Sequence, residues 1–268
     1  VLSLPETADL PIPTPQALLA IVQTILALPV APWQEAERPT ALLAQAPQPG
    51  EIVERSQFAP LAVTHLTFAN NVRVHYRYMD FKKDQVTVAI TLPGGLIRES
   101  PEQRGIGAVA VLPLQTPATS QLSSTDIRNI MTGKQVEVRG RLSSDTVELS
   151  IAGTPADLED GMKLAYLLLR DAKIEPAQVA LWEQQRLQEI ASFRTQIRAR
   201  VQEAAALLLS GNDPRQAMLT AEQISARAQA IPEAQIWLDA LLRTAPMEVA
   251  IVGDISEERA LQLAATYL

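Results

Sequence analysis

The chain has 268 residues, 47% of them apolar and 20% charged, with a formal net charge of -7 at pH 7. That composition supports a sizeable buried core, and an acidic chain without a dense Lys/Arg cluster argues against nucleic acid or an anionic membrane as partner. There is no cysteine, which excludes disulfides, thiolate zinc sites and cysteine nucleophiles.

Nine of the 19 prolines fall in the first fifty residues: Pro5, Pro11, Pro13, Pro15, Pro29, Pro32, Pro39, Pro47 and Pro49. Proline fixes φ and removes a donor, so residues 1–57 read as a linker carrying one or two short helices. One of these is the apolar run "ALLAIVQTILAL", residues 17–28. It is too short to span a bilayer and lacks a positive flank, so it reads as an amphipathic helix. The chain begins with Val and stops inside a helical pattern, so it is expected to be cut from something longer.

An ordered domain is expected over residues 58–268. Period-two alternation predicts four strands, with inward sets Val72, Val74, Tyr76 and Tyr78; Val86, Val88, Ile90 and Leu92; Val136, Val138 and Leu142; and Val147, Leu149 and Ile151. Ser143 and Ser144 should join the last two strands as an antiparallel hairpin. Helices are announced by caps: Ser100 with Pro101 and Gln103, Ser123 with Asp126, Thr154 with Pro155 and Asp157, and Thr220 with Gln223. From Pro176 a long helix shows Val179, Trp182, Ile190, Phe193, Ile197, Val201 and Leu208 on one stripe, broken at Gly211. The chain closes with an apolar strand at Val249–Val252, then Gly-Asp, then a helix capped by Ser256. With one glycine and no Gly-rich loop, that unit reads as structural rather than nucleotide-binding. The fold class expected is α+β, a largely antiparallel sheet with helices packed on one face.

Three stretches carry a family likeness: "LTFANNVRVHYRYMDFKKDQVTVAITLPGGL", "GGLIRESPEQRGIGAVAVLPL" and "VAIVGDISEERALQLAATYL". Together they resemble the opening strands, the approach to the catalytic helix, and the closing strand and helix of the pitrilysin/insulinase family of zinc metallopeptidases. Asn71 stands where that family usually has glycine. Active members carry H-x-x-E-H, two zinc-binding histidines one turn apart and a general base between them. Set against that pattern, Arg104, Gly105, Ile106 and Gly107 hold the frame, while Ala108, Val111 and Leu112 occupy the His, Glu and His positions. None of these can ligate metal or move a proton. Glu183 or Glu189 stands nearest the place of the family's further zinc ligand.

The two histidines, His65 and His75, lie on the first strands. His75 shares a face with Arg73 and Arg77, whose field disfavours a cation, and neither histidine is expected to bind metal. Glu99, Glu102 and Asp126 stand near helix starts, where capping is the expected job. The resemblance therefore implies an inactive peptidase domain of a longer bacterial protein, structural and substrate-binding, with no cofactor of its own and zinc only in a partner active domain. Its partners would be a sister peptidase domain or a second copy, and a peptide. The periplasm is the compartment that exported bacterial relatives favour. The alternative is a wholly inactive assembly scaffold similar to core subunits of respiratory complexes.

Overall fold

The computed structural model describes residues 13–28 and 39–268. The chain divides into two units, 1–38 and 39–268. In the first, helix α1 (Pro15–Leu26) is capped by Thr14, whose hydroxyl accepts from the Ala17 amide at 3.2 Å; none of its residues is buried. The linker prolines at 5, 11, 29 and 32 lie outside the described residues. No helix among the described residues is long and apolar enough to cross a membrane.

The second unit begins well before residue 58. Leu42 is buried in the core, the Gly50 amide donates to the Ala265 carbonyl at 2.7 Å, and residues 52–58 form strand β1 (Ile52–Phe58). All seven residues of β1 are exposed, so no buried/exposed alternation marks it in the sequence.

A seven-stranded sheet organises this unit, in the order β1-β2-β3-β7-β4-β6-β5. The other strands are β2 (Val63–Phe68), β3 (Arg73–Tyr78), β4 (Val86–Pro93), β5 (Val136–Leu142), β6 (Thr146–Gly153) and β7 (Glu248–Gly253). Only β3 and β7 run parallel; every other neighbouring pair is antiparallel. The closing strand is thus inserted in the middle of the sheet, between elements some 170 residues away in sequence. Residues 69–72 join β2 to β3, and Asn71 adopts φ 65° there, a left-handed conformation asparagine tolerates. The predicted β5–β6 hairpin is present, Leu142 facing Val147.

Alternation decides the layers. Val74, Tyr76, Val88, Ile90, Leu149, Ile151, Val249 and Ile251 are all buried and pack under helices α5 (Leu158–Asp171) and α10 (Glu257–Tyr267). Tyr78, read with the inward set, is 53% exposed, because it ends the strand beyond helix cover. The Tyr76 hydroxyl donates to the Ile255 carbonyl at 2.6 Å. In the "VGD" turn, Asp254 accepts from the Asp84 amide at 3.0 Å and the Tyr78 hydroxyl at 3.3 Å, so its carboxylate fastens two loops.

Capping signals differ in fidelity. Ser123–Asp126 opens α4 (Ser124–Met131), and Thr220–Gln223 opens α8 (Ala221–Gln229), each with both halves of a capping box. Ser256 caps α10 as expected. By contrast, Ser100 caps only a 3-10 turn at Pro101–Gln103, and α5 starts at Leu158, one turn after Thr154 and Pro155. There the Asp157 carboxylate accepts from the Gln135 amide at 2.8 Å, while the Asp157 amide keeps a longer bond of 3.4 Å to the Thr154 hydroxyl. The long helix predicted from Pro176 is two helices, α6 (Pro176–Thr195) and α7 (Ile197–Leu209), parted at Gln196 by an extended backbone. Val179, Trp182 and Ile190 are buried, but Ile197, Val201 and Leu208 are exposed by 79%, 61% and 75%, so the stripe is core in its first half only.

A charged cluster pins α10 to α5. Glu159 accepts from Arg259 at 2.6 Å and from the Tyr267 hydroxyl at 3.0 Å, and lies 3.4 Å from Lys163. Lys163 and Lys134 meet Asp160 at 3.2 and 2.7 Å. Burial opposes ionisation of Glu159, but the hydrogen bonds from Arg259 and Tyr267 outweigh it and hold the carboxyl below its ordinary range. The Tyr267 phenol is pushed up to about 12, by burial first and then by its bond to Glu159. The folded state therefore holds that proton more tightly than the unfolded chain, and the stability this contributes is complete below pH 10 and lost as pH climbs toward 12. Tyr267→Phe should lower stability by about 1 kcal/mol at neutral pH and flatten the alkaline limb. Denaturant unfolding at pH 7 and over pH 9–12 reads both.

Candidate functional site

The segment that the resemblance aligns with a catalytic helix folds as two short helices, α2 (Ile106–Ala110) and α3 (Leu112–Gln115), parted at Val111. Pro113 lies in the first turn of α3, where its missing N–H costs nothing, so the proline produces the predicted break. The segment is core: Ile106, Val109, Ala110 and Val111 are fully buried, Leu114 is 1% exposed, and Leu112 is 8% exposed. Ala108 is half-buried. Helix α9 (Ile231–Thr244) packs against α2, and β5 against α3. The approach at β5 is so close that a Cβ on Gly140 would stand 2.3 Å from the Leu114 Cβ.

Glu99 anchors the segment. Its side chain is buried, and its two oxygens accept from the Gly105 and Gly107 amides, each at 2.9 Å. A buried carboxylate bonded to the free amides of a helix start replaces the missing side-chain cap. Gly107 is needed for this approach, because a Cβ there would stand 2.9 Å from Glu99 Oε1. Arg104 donates to the Ala217 carbonyl, and Arg227 to the Glu102 carbonyl at 2.8 Å, tying the turn to the α7–α8 region. Of the other expected caps, Asp126 closes its capping box. Exposed Glu102 is held below its ordinary range by a backbone hydrogen bond and one to Ser100.

Glu183 and Glu189 are engaged elsewhere: Glu183 accepts from the Ser225 hydroxyl at 2.6 Å, and Glu189 pairs with Arg186 at 2.6 Å. The sheet face away from the helices brings the two histidines together. His65 on β2 and His75 on β3 are direct cross-strand partners, with Nδ1 atoms 2.6 Å apart and rings edge-on at 77°. His75 Nε2 lies 2.6 Å from Glu248, which also pairs with Arg73. The field beside His75 is therefore less cationic than Arg73 and Arg77 alone imply. Among the described residues no group of three or more His, Cys, Asp or Glu converges as a metal cage.

At the far edge of the sheet, β5 has β6 as its one strand neighbour among the described residues. Beside it runs a groove of about 510 Å³ between β5, α4 and α5, lined by Ile127, Arg128, Met131, Val136, Val138 and Leu164 among others. The sequence did not announce this groove, because its walls come from three separate elements.

No protein-family model matches the chain. Over 73 residues, 27% of its length, it is 37% identical to an Arabidopsis thaliana protein named zinc protease PQQL-like, of which it spans 8%. Its fold matches the periplasmic protease PqqL from Escherichia coli with a TM-score of 0.71 at 19% identity, over 95% of this chain and 28% of that one. It matches the ferredoxin protease FusC, solved in complex with Arabidopsis ferredoxin, with a TM-score of 0.70 at 17% identity, over 97% of this chain and 29% of that one. A peptidase M16 inactive domain from Pseudomonas fluorescens gives a TM-score of 0.59 at 14% identity, over 77% of this chain and 50% of that one.

Glu99→Ala leaves two buried amides unpartnered and should cost about 2–3 kcal/mol, with Glu99→Gln, which keeps one acceptor, costing less; urea unfolding ranks the two. Val111→Glu, which sets a glutamate where the resemblance would have the general base, puts a carboxylate at a fully buried position and should cost about 3 kcal/mol or more. A thermal melt reads that loss.

Proposed function

We propose that this chain, which has the fold of a pitrilysin-like zinc peptidase domain, serves as a non-catalytic domain beside an active zinc domain elsewhere in its parent protein or assembly. The observation that carries the reading is the pairing of an intact frame with apolar occupants. Arg104, Gly105 and Gly107 are in place and Glu99 secures the turn, while Ala108, Val111 and Leu112 fill the catalytic positions with packing. Hydrolysis then belongs to zinc bound outside this chain.

Two surfaces supply the domain's work. The β5 edge, with the half-apolar groove alongside it, suits an extended peptide that adds as a further strand and drops alternate side chains beside Met131 and Val138. Helix α7 presents Ile197, Val201, Leu208 and Leu209 to solvent, an apolar surface suited to a sister domain or a second copy. The chain spans about 28% of PqqL, so the proteins it resembles have ample chain for such a sister. A periplasmic setting belongs to the same reading, drawn from the description of PqqL.

The purified chain should leave a fluorogenic peptide uncleaved with zinc present. An extended peptide of alternating apolar residues should slow hydrogen exchange at residues 136–142, and Met131→Glu should weaken that protection at least tenfold. Cleavage by the chain, or protection confined to another strand, would overturn the proposal.

A further inference from the structure

We propose that His65 and His75 form a two-imidazole site for a divalent transition ion, copper(II) foremost, on the open face of the sheet. This goes beyond the reading of α2 and stands independently of it.

The backbone makes the pair. His65 and His75 are opposed in the β2–β3 ladder, and their Nδ1 atoms converge to 2.6 Å. A bond between two imidazole nitrogens contains one proton, so one Nδ1 donates and the other offers a lone pair. When both rings are neutral, Glu248 settles which. Its carboxylate sits 2.6 Å from His75 Nε2, and a carboxylate needs an N–H there, so neutral His75 turns its Nδ1 lone pair toward His65. A metal-binding histidine has this arrangement, one ring nitrogen free for the ion and the other donating to a carboxylate that fixes tautomer and orientation.

Binding replaces the shared proton by the ion and turns both rings, so that their Nδ1 lone pairs converge off the line that now joins them. Two imidazole nitrogens stand about 2.9 Å apart when adjacent on a square-planar ion and about 3.3 Å apart on a tetrahedral one. The hydrogen-bonded separation of 2.6 Å must widen for either geometry, and the divalent affinity order puts copper(II) ahead of zinc. His65 gives up its Nδ1 proton and takes one at Nε2 through water, so a neutral pair binds the ion without net proton release. Water completes the coordination. Arg73 is neutralised by its pairing with Glu248, which leaves Arg77 as the cation two residues along the same face of β3.

The chain's composition makes the test clean: these are its two histidines, and it has no cysteine. Copper(II) titrated into the full chain should bind one-to-one, and pulsed paramagnetic resonance should show coupling to two imidazole rings. His65→Gln and His75→Gln should each weaken binding at least tenfold and leave one ring or none in the spectrum. Glu248→Gln should weaken it by about tenfold to a hundredfold while both rings stay coupled. Copper bound without imidazole coupling, at the amino terminus or surface carboxylates, overturns the site, as does unchanged affinity in His75→Gln. Should a variant fail to fold, the wild-type spectrum decides alone, since two coupled rings at one copper per monomeric chain can come only from this pair.

Discussion

The buried carboxylate of Glu99, gripping the Gly105 and Gly107 amides at 2.9 Å, is the contact on which the central architecture turns. A five-residue helix cannot sustain itself, and α2 survives because its first amides are satisfied and its side chains are enclosed. The grip demands glycine at 107 and carries the chain from the 3-10 turn at Pro101–Gln103 into the core. From there α2 meets α9, and α3 lies on β5 through the Leu114–Gly140 contact. One carboxylate thus links the loop after β4, the buried segment and the outer strand of the sheet.

That arrangement separates the shape of a peptidase site from its chemistry. Zinc hydrolysis needs imidazoles and a general base facing a wet cleft. Here the same backbone faces inward and is filled with Val109, Val111 and Leu114, all buried. In the proposed reading, this apolar packing belongs to a domain that supports rather than cuts. What faces outward is the β5 edge with its groove and the apolar surface of α7.

Much of this was legible in the sequence, for physical reasons that differ by element. β3, β4, β5 and β6, each with one buried face, wrote themselves as alternation; β2, whose buried set of Thr64, Leu66 and Phe68 begins on a polar residue, and β1, with no buried face, did not. Caps whose side chains reach their own helix, such as Ser123–Asp126 and Thr220–Gln223, were readable. Thr154 and Ser100 misled by a turn, because Asp157 serves the Gln135 amide and Glu99 does the work expected of Gln103. The Gln196 break carries neither glycine nor proline, so periodicity ran straight through it. The histidine pair was legible in principle: His65 and His75 each stand five residues from Asn70, and residues equidistant from a hairpin turn must face each other. Glu248, which completes that cluster, comes from the far end of the chain and could not be placed without the topology.

The central claim is that the α2–α3 segment is a carboxylate-anchored strut with no affinity for zinc. Amide resonances followed during a zinc titration test it most directly. The account predicts that residues 105–115 stay unmoved, with any perturbation centred on the strands of His65 and His75. Zinc-dependent shifts at Ala108, Val111 and Leu112, accompanied by peptide hydrolysis from this chain alone, would contradict it.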